Sequence, residues 1–445
     1  MPEISALHDA VLAATRFGFA ARGDDLATIA HDPRGWVLRQ LAAAPAPLPG
    51  NLPASSQMVV AEFEMRRDRG DEAAKRDFNQ RVRGVYLAEI AARSDAAANS
   101  ETPLLERLTR FWSNHFTVSI LRPVVRGFAA AFEREAIRPH VTGRFADMLL
   151  AVAQHPAMLL YLDNAVSIGP DSMAGIRRGK GLNENLGREL LELHTLGVDG
   201  GYAQADVEAL ARILTGWSVA RLNEPSPGGF YFRPRVHEPG EKRLLGRSYG
   251  DAGFGEGRAA LLDLARHPAT AHHVAANLAR YFIADMPPPD AVERIARVFH
   301  ASDGDLRQVT AAVVKEEGAW RTPFAKVRTP EDLVIAACRV TRFTPPPEML
   351  VNSLHVLDQQ PFFAPSPAGW PDAASSWVSP EAVLRRAQWC EVFAERVADP
   401  PDPMALAEAA FGTTLPEETQ AAIRRAPSRR AGLALLLASP QFQRR

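Results

Sequence analysis

Cysteine is scarce in this sequence. Cys338 and Cys390 are its two cysteines among 445 residues, and neither lies in a CxxC pair or another spacing typical of zinc ligands. Two thiols this far apart, each within a largely apolar helical pattern, are typical of a reducing compartment and not of a disulfide framework. We therefore expect a cytoplasmic protein.

Long apolar runs are also missing. The most apolar window, residues 148–162, is interrupted by Gln154, His155 and Pro156, whereas a membrane span needs roughly 20 consecutive apolar residues. The N-terminus has no basic start followed by an apolar run, so no signal peptide is predicted. These features predict a protein that has no membrane among its partners.

An excess of charge of one sign is absent as well. The formal net charge is −1, and only five of the 51 basic residues are lysines. Such a chain has no overall field that would attract nucleic acid. The basic cluster RRAPSRR (424–430) lacks the interleaved aromatic residues of a single-strand-binding surface. We expect no nucleic acid among the partners.

Helical periodicity dominates what is present. With 46% apolar residues the chain can build a large core, and the one β signal is FYFRPRVHEPGEKRLLG (230–246), in which residues 238–241 suit a type II turn. We predict an all-α, multi-helix globular protein with one small β-hairpin. We predict four parts. Residues 1–50 form an N-terminal helical segment, and residues 51–222 form a helical core that carries the motifs below. Residues 223–250 form the hairpin, and residues 251–445 form a C-terminal helical region packed on the core as one unit.

The stretch NENLGRELLELHTLG (183–197) is typical of an amphipathic helix that begins after Asn183. At 100° per residue one side forms an apolar stripe. The opposite side carries charges at i, i+4 spacing, which stabilise a helix by about 0.3–0.5 kcal/mol per pair. Most of the charge on this helix, at Glu184, Arg188 and Glu192, therefore has a structural explanation.

His194 and Glu189 remain, and they flank the apolar stripe. Their spacing of five residues is not the Glu-x-x-His spacing of a di-iron site. His115 lies on a second apolar stripe, in LLERLTRFWSNHF (104–116), and Asp163 lies at the end of the helical segment PAMLLYLDN (156–164). Two interpretations stay open: each histidine is a hydrogen-bonded core residue, or the two share one polar pocket, since buried imidazoles need partners.

The pocket hypothesis assigns catalytic roles to His115, His194, Glu189 and Asp163. Its pocket-lining candidates are Asn114, Asn183, His237, Lys242 and Trp217. The loop AGIRRGKG (174–181) precedes a helix and carries Arg177, Arg178 and Lys180, which could bind an anion together with free backbone N–H groups. The alternative for this loop is a flexible, solvated connection, because the spacing is not that of a phosphate-binding P-loop.

Several motifs together resemble the bacterial domain-of-unknown-function family 1800. In chain order they include FWSNHFTVS, HPAMLLYLDN, NENLGRELLELHTLGVDGGYAQADVEALARILTGW, HEPGEKRLLG, HPATA and SPAGWPDAASSW. The likeness runs from about Arg16 to the C-terminus. It implies a mostly helical protein and a partner, the product of a neighbouring sulfatase-like gene. The sequence departs from the family pattern at Ala203, Glu238, His272 and Asn277, and at Leu186 and Gly187 in the helix described above.

Two hypotheses about function follow. The first is an enzyme with a pocket of histidines and carboxylates, covered by the hairpin, that hydrolyses its substrate by general acid–base or metal-assisted chemistry. The metal is unknown, and a divalent ion is the cofactor to test. The second is a non-catalytic helical partner or maturation protein. A deep pocket with histidines and acids would favour the first, and an exposed apolar groove the second.

Overall fold

Helices make up most of the structure, as predicted. The computed structural model describes residues 4–67, 70–178 and 181–445, and within these ranges lie 23 α-helices and four strands of three residues each. The predicted all-α class is confirmed. None of the helices in these ranges is both long and apolar enough to cross a membrane.

The helices are numbered in chain order. The first twelve, α1 to α12, are Ile4–Leu12, Asp25–Ala30, Pro33–Gln40, Ser55–Arg67, Glu72–Asn99, Pro103–His115, Ala129–Phe132, Phe145–Gln154, Pro156–Tyr161, Met173–Arg178, Asn185–Glu189 and Gln204–Ile213. The remaining eleven, α13 to α23, are Phe254–Arg266, Pro268–Phe282, Pro289–Ala301, Leu306–Lys315, Gly318–Arg321, Pro330–Thr341, Pro347–Val356, Pro380–Arg396, Pro403–Phe411, Glu417–Arg424 and Arg429–Ala438.

Side-chain caps and proline begin many of these helices. The two HPA segments show the device with histidine: Nδ1 of His155 accepts from the backbone N–H of Ala157 at 3.1 Å, and Nδ1 of His267 accepts from Ala269 at 3.2 Å. Proline follows each histidine at the first helical position. Its lack of an N–H costs nothing there, because an N–H in the first turn has no partner within the helix. The two HPA segments thus begin their helices in the same way.

The β structure consists of two small antiparallel sheets. Strand β1 (Trp217–Val219) pairs with β2 (Phe230–Phe232), and β3 (Lys242–Leu244) pairs with β4 (Arg247–Tyr249). The predicted turn at 238–241 therefore does not join two paired strands. A short 3₁₀ turn, Pro234–Val236, ends the extended segment first, because proline cannot donate a ladder hydrogen bond.

One contiguous apolar core runs through the chain, from Ala10 to Phe442. The described parts of all four predicted segments contribute apolar side chains to this core. The segment 223–250 contributes few of them. Buried ion pairs lie inside this core; Arg107 Nη1, for example, is 2.9 Å from Asp332 Oδ2. The proposed segment boundaries remain predictions.

The predicted glycine-rich loop contains a helix. Residues 173–178 form α10, and residues 179 and 180 lie outside the described residues. Ser172 stabilises its start, since its Oγ accepts from the N–H of Gly175 at 3.1 Å. The interpretation of 174–181 as one flexible loop was wrong for this part.

Candidate functional site

The site is built around the C-terminal end of the helix that contains His194. After α11 the chain continues as a π-helical turn, Leu190–His194. The last carbonyls of a helix have no partner within it. Here two histidines supply the partners: Nε2 of His273 is 2.9 Å from the Leu193 carbonyl oxygen, and Nε2 of His115 is 3.1 Å from the His194 carbonyl oxygen. Since a carbonyl only accepts, Nε2 of His115 carries the proton. For His273 the Leu193 carbonyl favours the same tautomer, whereas Nδ2 of Asn277, a donor 3.1 Å from the same Nε2, favours the other.

Gly197 allows His273 to come this close. Its φ of +83° is in the left-handed region, and a Cβ at this position would lie 2.7 Å from Nδ1 of His273. Only glycine combines that backbone conformation with so short an approach. Gly197, the last residue of the NENLGRELLELHTLG stretch, therefore makes room for the imidazole.

Three imidazoles lie together at this helix end. The ring centroid of His115 is 6.2 Å from that of His194 and 5.9 Å from that of His273. Burial is the main cause that lowers the pKa of all three, to about 3 for His194. His194 is fully enclosed, and neither ring nitrogen has a hydrogen-bond partner among the described residues. The cluster is therefore uncharged at neutral pH.

A cavity of about 300 Å³ opens beside this cluster. It is formed by the ends of α6 and α14, by the helix end at Leu193, and by the segment 368–373. Its polar and aromatic lining consists of Phe111, Asn114, His115, His273, Asn277, Arg280, Tyr281, Trp370 and Asp372. The volume lies at the lower limit of the range typical of small-molecule sites.

Asn114 fixes the wall formed by residues 368–373. Its Nδ2 donates to the Trp370 carbonyl at 2.9 Å, and its Oδ1 accepts from the Trp370 N–H at 2.7 Å. Gly369 lies against Asn114 with a φ of +78°. This position needs glycine, because a Cβ there would be 2.6 Å from the Asn114 backbone carbonyl oxygen. One side chain thus satisfies both backbone groups of Trp370 and holds the segment against α6.

Asp372 and Arg280 are the ionisable groups of the cavity besides the histidines and Tyr281. Burial raises the pKa of the Asp372 carboxyl group, although Lys326 and Arg445 oppose the shift. Arg280 is exposed, and its Nη1 donates to Oδ1 of Asn277 at 3.1 Å. The cavity therefore holds neutral imidazoles, an acid that retains its proton to higher pH than usual, and a cation.

The predicted residues separate into those that reach this cavity and those that do not. Asn114 and His115 line it, and His194 lies beneath His115 without lining it. Asp163 forms an ion pair with Arg122 elsewhere. Glu189, on α11, is half-buried, and burial followed by the nearby Glu192 raises its pKa. The structure brings together two of the four residues predicted to be catalytic, His115 and His194.

The other pocket-lining candidates lie outside the cavity. Asn183 lies just before Glu184, the N-cap residue of α11, and its Oδ1 accepts from the N–H of Asn185 at 2.9 Å. Trp217 is fully buried in an aromatic cluster of the first sheet. His237 and Lys242 are buried with a third residue, Glu256, so they do not cover the cavity.

The anion-binding candidates can be placed only in part. Arg177 is exposed on α10. The side chain of Arg178 and the whole of Lys180 lie outside the described residues.

Sequence reasoning missed His273, Arg280, Trp370 and Asp372. A usable signal exists for α14, because His273, Asn277 and Tyr281 recur every four residues and so share one helix face. Trp370 and Asp372 lie on a segment without periodicity, in the motif SPAGWPDAASSW, and only the motif itself marks them.

Comparison with known proteins gives one match. Residues 12–444, nearly the whole chain, match the sequence model of a family described as "Protein of unknown function (DUF1800)". No curated protein and no solved structure matches the chain.

Proposed function

This chain belongs to the DUF1800 family, whose description names no activity, and we propose from its cavity that it hydrolyses a small molecule by general acid–base chemistry. The observation that carries the proposal is the combination in one cavity of a fixed neutral imidazole, His115, with a carboxyl group of raised pKa, Asp372. Two titratable groups whose environments push their protonation in different directions are the usual basis of acid–base pairs.

His115 is the proposed base. Its Nε2–H is committed to the His194 carbonyl, so Nδ1 carries the lone pair that can accept a proton. Burial lowers the pKa of this imidazole, which keeps it unprotonated but makes it a weak base in the empty cavity. A negatively charged substrate beside it would raise that pKa toward neutrality.

Asp372 is the proposed acid, and Arg280 the proposed oxyanion partner. The raised pKa favours the protonated carboxyl group that can donate to a leaving group. An arginine at the exposed side of the cavity can hold a carboxylate or a developing oxyanion through two N–H groups. His273 then serves as a positioning residue, because Leu193 and Gly197 occupy the surroundings of its two nitrogens.

Acid–base chemistry fits this cavity better than metal-assisted chemistry. The described residues include one group of at least three His, Cys, Asp or Glu whose ligand atoms all lie within 4.8 Å, and it does not contain His115, His194 or His273. Among the described residues the cavity therefore offers no convergent set of three such ligand atoms. Nε2 of His115 and Nε2 of His273 each face a backbone carbonyl instead.

A panel of chromogenic esters tests the proposal. Purified protein is assayed with p-nitrophenyl acetate, butyrate and phosphate, and wild-type turnover is compared with that of His115→Gln and Asp372→Asn. We expect each substitution to reduce kcat by about 10²–10⁴-fold, the usual contribution of a general acid or base. His267→Gln is the control, because this part-buried histidine caps α14 away from the cavity. Equal turnover by all four proteins would contradict the assignment, and so would no turnover by the wild type.

A second function, that of a partner protein, is favoured by a separate observation. An apolar groove of about 870 Å³ lies between α19 and α20. Val356 and Val392 in it are 42% and 52% exposed. A patch of this kind often marks a protein-binding surface, and an amphipathic helix of the sulfatase-like neighbour is the partner to test.

Co-expression tests the partner function. The neighbouring gene product should co-purify with the wild type, and Val392→Asp should abolish this. Val383→Asp is the matched control, since Val383 is also 52% exposed on α20 but does not line the groove. Loss of the complex in both variants, or in neither, would contradict a role for the groove.

A further inference from the structure

A second polar cluster lies between the β3–β4 sheet and the start of α13. It consists of His237, Asp251 and Glu256, whose nearest ligand atoms all lie within 4.8 Å of one another. His237 and Glu256 are buried, whereas Asp251 is exposed. The cluster is separate from the cavity described above and takes no part in the proposed acid–base chemistry.

The hydrogen bonds of His237 determine which of its nitrogens is free. Nδ1 is 2.8 Å from the Thr215 carbonyl oxygen, so Nδ1 carries the proton. In the neutral ring Nε2 then has a lone pair, and this lone pair faces Oε2 of Glu256 at 3.1 Å. Two acceptors at this distance repel each other unless a proton or a cation lies between them.

Glu256 has one oxygen without a partner. Its side chain is fully buried, Oε2 is 3.0 Å from Nζ of Lys242, and Oε1 has no hydrogen-bond partner among the described residues. Leaving a carboxylate oxygen buried and unpaired is costly. A buried carboxylate with one oxygen that still lacks a partner, beside an imidazole lone pair, is an arrangement that a cation would complete.

We propose that His237, Asp251 and Glu256 bind one divalent transition-metal ion of the Zn²⁺ type. One imidazole nitrogen and two carboxylates are a ligand set that zinc uses, with bonds of about 2.0–2.2 Å. Ligand atoms at the corners of such a tetrahedron lie roughly 3.4 Å apart, so separations of up to 4.8 Å need only small side-chain movements. The contact between Nδ1–H and the Thr215 carbonyl is the kind of support that orients a metal-binding histidine.

Lys242 sets the strength of this site. Its ammonium group competes with the metal for Oε2 of Glu256, but it also donates to the Glu238 carbonyl at 2.5 Å. When a metal binds, the lysine can retain the second contact and give up the first. Removing the lysine charge should therefore tighten metal binding, which is the opposite of what an ordinary ion-pair cluster would show.

Zinc titration of the full chain tests the proposal. Metal-free protein is titrated with Zn²⁺ in competition with a chromogenic chelator. We expect one equivalent to bind, a loss of at least roughly 100-fold for His237→Gln and for Glu256→Gln, and a smaller loss for Asp251→Asn. Lys242→Met should bind Zn²⁺ more tightly than the wild type.

The control is Asp263→Asn, an acid on the same helix, α13, that accepts from the Tyr249 hydroxyl at 2.7 Å outside the cluster. It should bind Zn²⁺ like the wild type. If the buried substitutions prevent folding, Asp251→Asn at the exposed position still decides the matter. The proposal is overturned by a wild type that binds no Zn²⁺, by binding that Asp251→Asn leaves unchanged, or by Lys242→Met binding less tightly. None of these readouts depends on hydrolytic activity.

Discussion

Replacing Gly197 by alanine should destabilise the protein through two separable effects. An alanine held at φ of +83° costs about 1–2 kcal/mol. The new Cβ would also lie 2.7 Å from Nδ1 of His273, so the ring or the backbone must move. Movement of the ring weakens its bond to the Leu193 carbonyl, which costs a further ~1–3 kcal/mol when the carbonyl is left unpaired. The expected total is about 2–5 kcal/mol.

Gly201 provides the matched control. Its φ is +82°, and a Cβ there would meet no atom within 4 Å. Gly201→Ala should therefore cost only the conformational part, about 1–2 kcal/mol. The difference between the two variants measures the contact with His273.

Chemical denaturation of four proteins checks this reasoning: the two glycine variants, His273→Ala, and the double variant Gly197→Ala/His273→Ala. Because truncating His273 removes the obstacle, Gly197→Ala should cost no more in that background than Gly201→Ala costs alone. If the two glycine variants lose equal stability, or if the cost of Gly197→Ala is the same with and without His273, the imidazole does not rest on Gly197.

Three further outcomes follow from contacts described above or from the ion pair of Arg188. Burial lowers the folded-state pKa of His194 to about 3, so between about pH 6.5 and pH 3 the unfolded chain binds a proton that the folded chain does not. The free energy of unfolding should therefore fall by up to ~1.4 kcal/mol per pH unit as the pH is lowered. His194→Asn should make the free energy of unfolding depend less on pH in this range. Arg188→Ala should cost about 0–1 kcal/mol in a thermal melt, because Arg188 is 39% exposed and its ion-pair partner, Glu184 at the start of the same helix, is 32% exposed; a loss of several kcal/mol would show a buried role. His267→Ala should lower the free energy of unfolding by about 1 kcal/mol, because the helix cap is lost. His155→Ala should lower it by more, because Nε2 of His155 is also 3.0 Å from Oε2 of Glu135. Equal losses would mean that the contact with Glu135 does not stabilise the protein.

The helical class could be predicted because apolar residues recur with the helical period through most of the chain. Strand pairing could not. The partner of Phe230–Phe232 is a three-residue strand, Trp217–Val219, whose residues are all buried and therefore show no alternation. Alternation of apolar and polar residues arises only where one face of a strand is exposed, so it cannot reveal a strand that is buried on both faces.

The candidate site was predictable only where its residues lie on periodic helices. His115 and His194 were singled out from the two apolar stripes that they adjoin, and whether their rings lie together stayed open; the structure places the ring centroids 6.2 Å apart. The enclosure of His194 agrees with the interpretation as a core residue, but that interpretation expected a hydrogen-bonded imidazole, and neither ring nitrogen has a partner among the described residues. Trp370 is placed by the side chain of Asn114, a contact across 256 positions that no local pattern contains.

That contact has a consequence for the order of events during synthesis. The histidines at the cavity are translated well before residues 368–373, and at typical rates of about 5–20 residues per second the interval between Asn114 and Trp370 is roughly 10–50 s. Until then the ribosome-bound chain has the cavity residues of α6, α14 and Leu193, but not the wall formed by residues 368–373. A ligand that needs both can engage only a nearly complete chain, so it cannot guide the early folding of α6 and α11.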